Sequence, residues 1–267
     1  MNKMKWTQIA LMASLLIMVS AAATQATVLR AFVSSTGNDA NAASNCPQAT
    51  PCKTFAGAFP VVTAGGELIA LDTSGYGPLT INKAITVATV PGVTAFVVAA
   101  TGTSGFTVSA GATDLVVLRN ISFNGSNAAS TTGLTHNSGK LFVENCNFQQ
   151  LTTGISVVNA VMNLKNSNLL GNTTGASVSG AGFDNNNPGT PATALLTISG
   201  GTVAFNGTAF FMTNPGGGTI LNIYMHTVGT TAAWATSLVG NTTFVAGTGT
   251  GCPCFTVGTY NSTLNPK

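Results

Sequence analysis

Apolar and polar residues alternate along several short stretches of the chain, which is the pattern of β-strands that bury one face. The stretch KLFVENCNFQQLTTGISVV, residues 140–158, shows this alternation. Leu141 and Val143 point to one side, and Phe142 points to the other, as the two-residue period of a strand requires. Asn145 interrupts the pattern, and asparagine tolerates the left-handed backbone that a sharp corner needs. The pattern predicts short strands joined by tight corners.

The same pattern recurs in four other segments, and successive copies begin 25, 21, 34 and 25 residues apart. One copy of this length cannot bury its own apolar face, so the copies are expected to stack and share one core. The five copies are VVLRNISFNG at 116–125, LFVENCNFQQ at 141–150, MNLKNSNLLG at 162–171, LTISGGTVAF at 196–205 and LNIYMHTVGT at 221–230.

The aligned copies place apolar residues in four columns that are expected to point into the core. The third column contains Cys146 and ends at His226, and the fourth ends at Val228. The residues predicted to form the core are Val116, Leu118, Phe123, Leu141, Val143, Phe148, Leu164, Leu169, Ile198 and Val203.

Two columns of turn-forming residues are predicted to separate the strands. The first is an asparagine corner, with left-handed backbone angles and amides that hydrogen-bond along the stack, formed by Asn120, Asn145 and Asn166. The second consists of the Thr–Gly pairs at 132–133, 153–154 and 174–175. The longest interval contains residues 182–193, whose Asn, Pro and Gly content predicts a surface loop.

The N-terminal half contains four segments that strengthen one resemblance. They are FVSSTGNDAN at 32–41, CPQATPCKTFAGAF at 46–59, GGELIALDTSGYG at 65–77 and LTINKAITV at 79–87. With the repeats, they resemble bacterial secreted proteins of the right-handed parallel β-helix, or pectin-lyase-like, superfamily. The resemblance implies an all-β fold, a single-stranded right-handed parallel β-helix (β-solenoid) with a short N-terminal capping helix. Phe55, Ala58 and Phe59 of this helix would face the first coil.

The first 26 residues have the pattern of a secretory signal peptide. Lys3 and Lys5 precede an apolar stretch that ends in small residues, and we expect cleavage after Ala26, with Ala23 as the alternative. We therefore predict a secreted protein, whether extracellular, periplasmic or at the cell surface, with no membrane span after cleavage. The predicted organisation is a signal peptide at 1–26, a β-helix domain at 27–250 and a C-terminal tail at 251–267.

Charged residues are scarce, with nine Lys or Arg and six Asp or Glu in 267 residues. This argues against a nucleic-acid partner, because nucleic-acid binding needs clustered basic charge. No second Cys or His pair stands at zinc spacing, and calcium would need more carboxylates than one coil offers. We expect neither a metal nor a cofactor.

The five cysteines fit an oxidising compartment. Cys46 and Cys52 flank a short loop beside the predicted cap and are expected to form a disulfide. Cys146 lies in an apolar column, which predicts a buried free thiol. Cys252 and Cys254 would close a small, strained ring, so their pairing stays open.

Enzymes of the resembled superfamily cut acidic polysaccharides with clustered carboxylates, either around calcium beside a basic residue or as an acid and base pair. No such cluster is visible in this sequence. The only charged column contains Arg119, Glu144 and Lys165, which could serve a lyase but which we expect to be a structural ladder of alternating charge. We predict no catalytic residue.

The remaining candidate side chains are two histidines and several aromatic residues. His136 is predicted to lie in a solvated loop, and His226 to point inward. The aromatic residues that could stack on sugars are Tyr76, Tyr224, Trp234 and Tyr260. Together these observations predict an exported, non-catalytic repeat protein that binds or displays at the cell surface or on glycans. The alternative is a polysaccharide lyase or glycoside hydrolase.

Overall fold

Parallel β-strands make up most of the chain that the structure describes. This computed structural model describes residues 27–126, 129–179, 194–213, 219–223, 237–239 and 244–246. The strands within these ranges are β1 (Val28–Val33), β2 (Val62–Ala70), β3 (Ser74–Gly75), β4 (Leu79–Ile81), β5 (Ile85–Thr89), β6 (Ala95–Val98), β7 (Ser104–Ser109), β8 (Leu115–Arg119), β9 (Ile121–Asn124), β10 (Thr132–Ser138), β11 (Lys140–Glu144), β12 (Asn147–Gln149), β13 (Thr153–Val158), β14 (Val161–Leu170), β15 (Thr174–Ser179), β16 (Ala194–Ala204), β17 (Thr208–Thr213), β18 (Thr219–Ile223), β19 (Ser237–Val239) and β20 (Phe244–Ala246).

The described strands form two sheets in which all neighbouring strands are parallel. Sheet A has thirteen strands in the order β1-β2-β5-β8-β11-β14-β12-β9-β6-β3, with β16, β18 and β19 joined beyond β14. Sheet B has seven strands in the order β20-β17-β15-β13-β10-β7-β4. Each repeat therefore supplies two stretches to sheet A and one to sheet B, as β8, β9 and β10 do. The prediction of an all-β fold with parallel strands is confirmed.

The strand register confirms the predicted core. Val116 pairs with Leu141 in the first column, and all ten predicted core residues are buried. The fourth column differs in its last member, because Val203 pairs with Leu238. The predicted member, Val228, lies outside the described residues. The repeat length changes at this point, so an alignment that held the spacing constant chose the wrong partner.

A row of aromatic rings runs through the core between the sheets. Phe55 lies 5.7 Å from Phe106, and Phe106 lies 5.2 Å from Phe123, both in edge-to-face contact. Phe123 and Phe148 stack in parallel with their ring centroids 4.7 Å apart. Such aromatic pairs contribute about 0.5–1.5 kcal/mol each beyond their buried area. The row joins four successive layers of the core.

One short α-helix, α1 (Phe55–Ala58), lies in the segment predicted to form a cap. The Thr54 hydroxyl accepts a hydrogen bond from the N–H of Gly57 at 2.9 Å, which satisfies a free donor at the helix N-terminus. Phe55 and Ala58 are buried as expected, whereas Phe59 is only partly buried. The helix packs against β1 and β4, which are end strands of the two sheets. Two 3-10 turns, Asp39–Ser44 and Phe59–Val61, adjoin it.

The asparagine corner has the predicted backbone but not the predicted amide ladder. Asn120, Asn145 and Asn166 have φ angles of 58°, 54° and 47°. Their side chains, all within the described residues, form no hydrogen bonds with one another. Instead, the backbone N–H of Asn120 donates to the carbonyl of Glu144 at 3.2 Å, and that of Asn145 donates to Lys165 at 3.1 Å. The main chain connects the copies here, and the expected amide ladder was wrong.

A buried amide ladder lies at a different corner. Asn172 donates from Nδ2 to Oδ1 of Asn206 at 3.0 Å, and both side chains are buried. The N–H of Leu151 donates to Oδ1 of Asn172 at 3.1 Å, and Asn206 donates to the carbonyl of Leu169 at 2.9 Å. These amides satisfy backbone groups that the turn leaves buried and unpaired.

The Thr–Gly pairs are not corners, which corrects the second predicted column. Each pair begins a strand of sheet B, in β10, β13 and β15. The glycines are required by close approach: a Cβ on Gly154 would lie 2.5 Å from the carbonyl oxygen of Gly175. A Cβ on Gly133 would lie 2.6 Å from the carbonyl oxygen of Gly154. Glycine here brings adjacent backbones together rather than turning the chain.

Several predictions concern residues that the structure does not describe. The signal peptide at 1–26, the loop at 182–193 and the tail at 251–267 lie outside the described residues. The same is true of six individual residues discussed above, namely Tyr224, His226, Trp234, Cys252, Cys254 and Tyr260. These predictions stay predictions.

Candidate functional site

The outward side chains of β8, β11 and β14 form a continuous surface that we call the central face. The three strands are in register, and their outward positions alternate with buried core residues. With strands about 4.8 Å apart, the face measures about 10 Å across the strands and about 13 Å along them. The central face consists of Leu115, Val117, Arg119, Lys140, Phe142, Glu144, Val161, Asn163 and Lys165.

Three charged side chains lie side by side along one edge of the central face. Arg119 Nε lies 3.2 Å from Glu144 Oε2, and Lys165 Nζ lies 3.1 Å from Glu144 Oε1. Both cations are about half exposed. One carboxylate is thus shared between two cations, each on a neighbouring strand. The structure places these residues in the column that the sequence predicts.

The two cations determine the ionisation of Glu144. The hydrogen bond from Lys165 lowers the pKa of its carboxyl, and the bond from Arg119 adds to this against an opposing effect of burial. Glu144 is therefore ionised at neutral pH and has no proton to donate as a general acid. Both of its oxygens are engaged, so it is also poorly placed to accept a proton as a base.

The centre of the central face is apolar. Phe142 is half-buried, with Val117 and Asn163 as its register partners on either side. Leu115 and Val161 are 52% and 37% exposed, which is unusual for large apolar side chains. The result is an aromatic ring beside apolar surface, with hydrogen-bonding groups around it. Sugars bind to surfaces of this kind through their apolar C–H faces and their hydroxyl groups.

Lys140 gives the central face an additional positive charge. Its ammonium is exposed and forms no ion pair with any residue in the part of the chain that the structure describes. Glu144 balances only one of the two cations beside it. The face therefore has a net positive charge.

The other described carboxylates are held in structural positions. Asp39 accepts hydrogen bonds from the backbone of Lys53 and Thr54 at 2.8 and 2.9 Å. Glu67 pairs with Arg30, and Asp114 accepts from the N–H of Gly111 at 3.0 Å. None of these sites brings two carboxylates together. Within the ranges that the structure describes, no three His, Cys, Asp or Glu side chains lie close enough to hold a metal ion.

Tyr76 is not an exposed aromatic residue, which corrects its place among the sugar-stacking candidates. Its ring is fully buried beside Phe55, and its hydroxyl donates to Asp72. Burial, together with Asp72, raises the pKa of Tyr76. Burial opposes ionisation of Asp72, but hydrogen bonds from Ser35, Tyr76 and Ser34 outweigh it and lower the pKa of that carboxyl. The cluster fixes a loop.

His136 is not in a solvated loop, which corrects a second prediction. It lies within β10, and its side chain is fully buried. The surrounding GLTHNSGK has the small polar residues of a loop, but Leu134 and His136 alternate inward like the aliphatic residues of neighbouring strands. The period-two pattern is the signal that could have placed this residue.

The outward face of sheet B differs from the central face, because none of its described strands contains a charged residue other than the inward His136. Hydroxyl side chains align there across five strands, and in one pair Ser104 Oγ lies 2.7 Å from Thr135 Oγ1. The aligned residues are Ser104, Thr132, Thr153, Thr174 and Thr208. The sequence interpretation missed this column, because it treated the Thr–Gly pairs as corners.

The cysteines form one disulfide and one buried thiol among the described residues. Cys46 and Cys52 are bonded, with Cα atoms 5.1 Å apart. Cys146 is fully buried, and burial raises the pKa of its thiol to about 12. A thiol with so high a pKa is a poor nucleophile at neutral pH.

Comparisons with protein-family models, with curated proteins and with solved structures each found no match for the chain. Within the described ranges, no helix is both long and apolar enough to span a membrane. The chemistry of the site therefore has to be argued from its own residues.

Proposed function

We propose that the protein is an exported, non-catalytic β-helix protein that binds a glycan through its central face. The strand order supports the β-helix, because every repeat returns to the same positions in both sheets with parallel strands. Parallel strands in one sheet are connected with a right-handed crossover in about 98% of cases, which supports the right-handed form. The N-terminal segments support the pectin-lyase-like superfamily only by resemblance.

The observation that carries this proposal is the position of Phe142 in the middle of the central face. A half-buried aromatic ring offers a flat apolar surface to one face of a sugar. Asn163, Lys140 and the charged edge provide donors and acceptors for hydroxyl groups at the periphery. A surface of this size accommodates a short stretch of a polysaccharide chain.

Export is proposed on two grounds. The pattern at 1–26 is that of a signal peptide, and a disulfide such as Cys46–Cys52 persists in oxidising compartments outside the cytoplasm. The absence of catalysis is proposed because Glu144 is tied to two cations.

The test is a binding screen of the mature protein against a panel of polysaccharides, with the Phe142→Ala variant. We expect the variant to bind at least about tenfold more weakly, since a central aromatic contact contributes roughly 1.4 kcal/mol or more. Phe96→Ala is the matched control, because Phe96 is also outward and 38% exposed, but lies on β6. Binding that survives in Phe142→Ala would contradict the proposal. Loss of binding in Thr174→Val instead would assign it to sheet B.

The alternative function is a polysaccharide lyase or glycoside hydrolase, favoured by the contact of Arg119 with a carboxylate. In that case, the protein would release unsaturated or reducing ends from an acidic polymer, and Arg119→Gln would abolish the release while the fold persists. We expect no release from pectate, alginate or similar polymers. Cleavage that is lost in Arg119→Gln would replace the binding function by the enzymatic one.

A further inference from the structure

His136 occupies a core position that its neighbours fill with aliphatic side chains. It lies in the middle of β10, in register with Val157 of β13 and Val108 of β7. All three side chains are fully buried. An ionisable ring thus takes the place of a valine in the inner layer of sheet B.

The hydrogen bonding of His136 leaves one ring nitrogen without a partner. Nε2 lies 3.1 Å from the carbonyl oxygen of Ser138. A carbonyl only accepts, so Nε2 holds the hydrogen and donates it, and Nδ1 has a free lone pair. Nδ1 is buried and has no hydrogen-bond partner among the described residues. A proton that binds at Nδ1 would create a buried N–H and a positive charge with no acceptor.

No described ionisable group is placed to balance this charge. The strands packed against β10 are β7, β9 and β13, and none of them contains an ionisable side chain. Nearby in the chain, the Lys140 ammonium is exposed, and the Asp114 carboxylate binds the backbone of Gly111. A buried imidazolium here would lack both a counter-ion and water.

We propose that His136 makes the fold acid-sensitive: a solvent proton taken up at Nδ1 forces β10 and its neighbours in sheet B to open. The neutral ring is compatible with the core, and the imidazolium is not. This inference is independent of the glycan proposal, because it concerns the opposite sheet and the interior.

The direction of the pH effect follows from the ring's environment. Burial lowers the pKa of His136 from 6.5 to about 4 in the folded protein. Between these two values the unfolded chain binds the proton more readily than the folded chain. The contribution of His136 to stability is complete above pH 6.5 and is lost as the pH falls towards 4.

The test is urea unfolding at pH 7 and pH 4 of the wild type and of His136→Val, which copies the residue found on both neighbouring strands. Acidification also protonates carboxylates, but that effect is common to both proteins. We expect the folded-to-unfolded ratio to fall about a hundredfold more in the wild type than in the variant. An equal fall in both would overturn the proposal.

A second measurement needs no variant. The imidazole of His136 can be titrated by NMR in the wild-type protein, with hydrogen exchange of the β10 and β13 amides followed over the same pH range. We expect no titration of the folded form above pH 5, and exchange that accelerates first in these strands as the pH falls. A titration midpoint near 6.5 with unchanged exchange would overturn the proposal even if His136→Val did not fold.

Discussion

At the scale of single residues, the backbone decides which side chains occupy the corners. Half of the ten described non-glycine residues with positive φ are asparagines. Asn120, Asn145 and Asn166 occupy one such corner, yet their amides do not bond to one another. The same position in the next copy is Gly200, which also has a positive φ of 74°. The column is therefore selected for left-handed backbone and not for a side-chain ladder.

Substitutions of Asn145 test this explanation. Asn145→Val should lower the free energy of unfolding by about 1–2 kcal/mol, because a β-branched residue is strained in the left-handed region. Asn145→Gly should change it by only a few tenths of a kcal/mol, since glycine adopts this φ without strain. The measurement is equilibrium unfolding in urea. Equal losses in both variants would show that the amide, and not the backbone, matters.

At the scale of the strands, the spacing within sheet B depends on missing side chains. Gly105, Gly133, Gly154 and Gly175 each lie close to a neighbouring strand or are approached by one, at distances that exclude a Cβ. None of the four has a positive φ. Their role is to let adjacent copies approach, which keeps the core below them closed.

Gly154→Ala should destabilise the protein by about 1–3 kcal/mol, because its Cβ would overlap a backbone oxygen that cannot move without its strand. Gly75→Ala on β3 is the control, since a Cβ there meets nothing within 4 Å and φ is not positive. The control should be neutral or slightly stabilising. Thermal or urea unfolding of the two variants decides the point, and a neutral Gly154→Ala would contradict the close approach.

At the scale of the whole molecule, charge and hydroxyl groups are segregated between the sheets. The outward surface of sheet A contains the ion pairs Arg30–Glu67 and Arg119–Glu144–Lys165, whereas sheet B is uncharged on its outward surface. The described strands are held together by parallel backbone hydrogen bonds and a continuous apolar core. Electrostatics is therefore expected to contribute little to stability.

Removal of the shared carboxylate tests this view. Glu144→Gln should lower the free energy of unfolding by less than about 1 kcal/mol, because exposed ion pairs are weak. The difference from wild type should shrink in about 1 M NaCl, where screening is strong. Lys165→Gln should behave in the same way. A loss well above this value that persists in high salt would show that the ladder holds the strands together.

How much of the site the sequence could predict depends on what is local. The alternation around Phe142 predicts that its ring points away from the core, and the repeats predict that Arg119, Glu144 and Lys165 align. Whether the ring stays accessible depends on its neighbours Val117 and Asn163, which come from other repeats. The burial of His136 was missed because a short polar segment has the composition of a loop and because its strand partners lie 21 to 28 residues away.

The sequence by itself determined the strands, the ten core residues and the left-handed asparagine corner. These follow from a two-residue period and from the conformational preference of one residue type, both of which are local properties. Only the tertiary structure decided that the Thr–Gly pairs lie inside strands, that Nδ1 of His136 has no partner and that Glu144 is shared by two cations. Each of these depends on the distance between separate repeats, which is set by the packing of whole strands against one another.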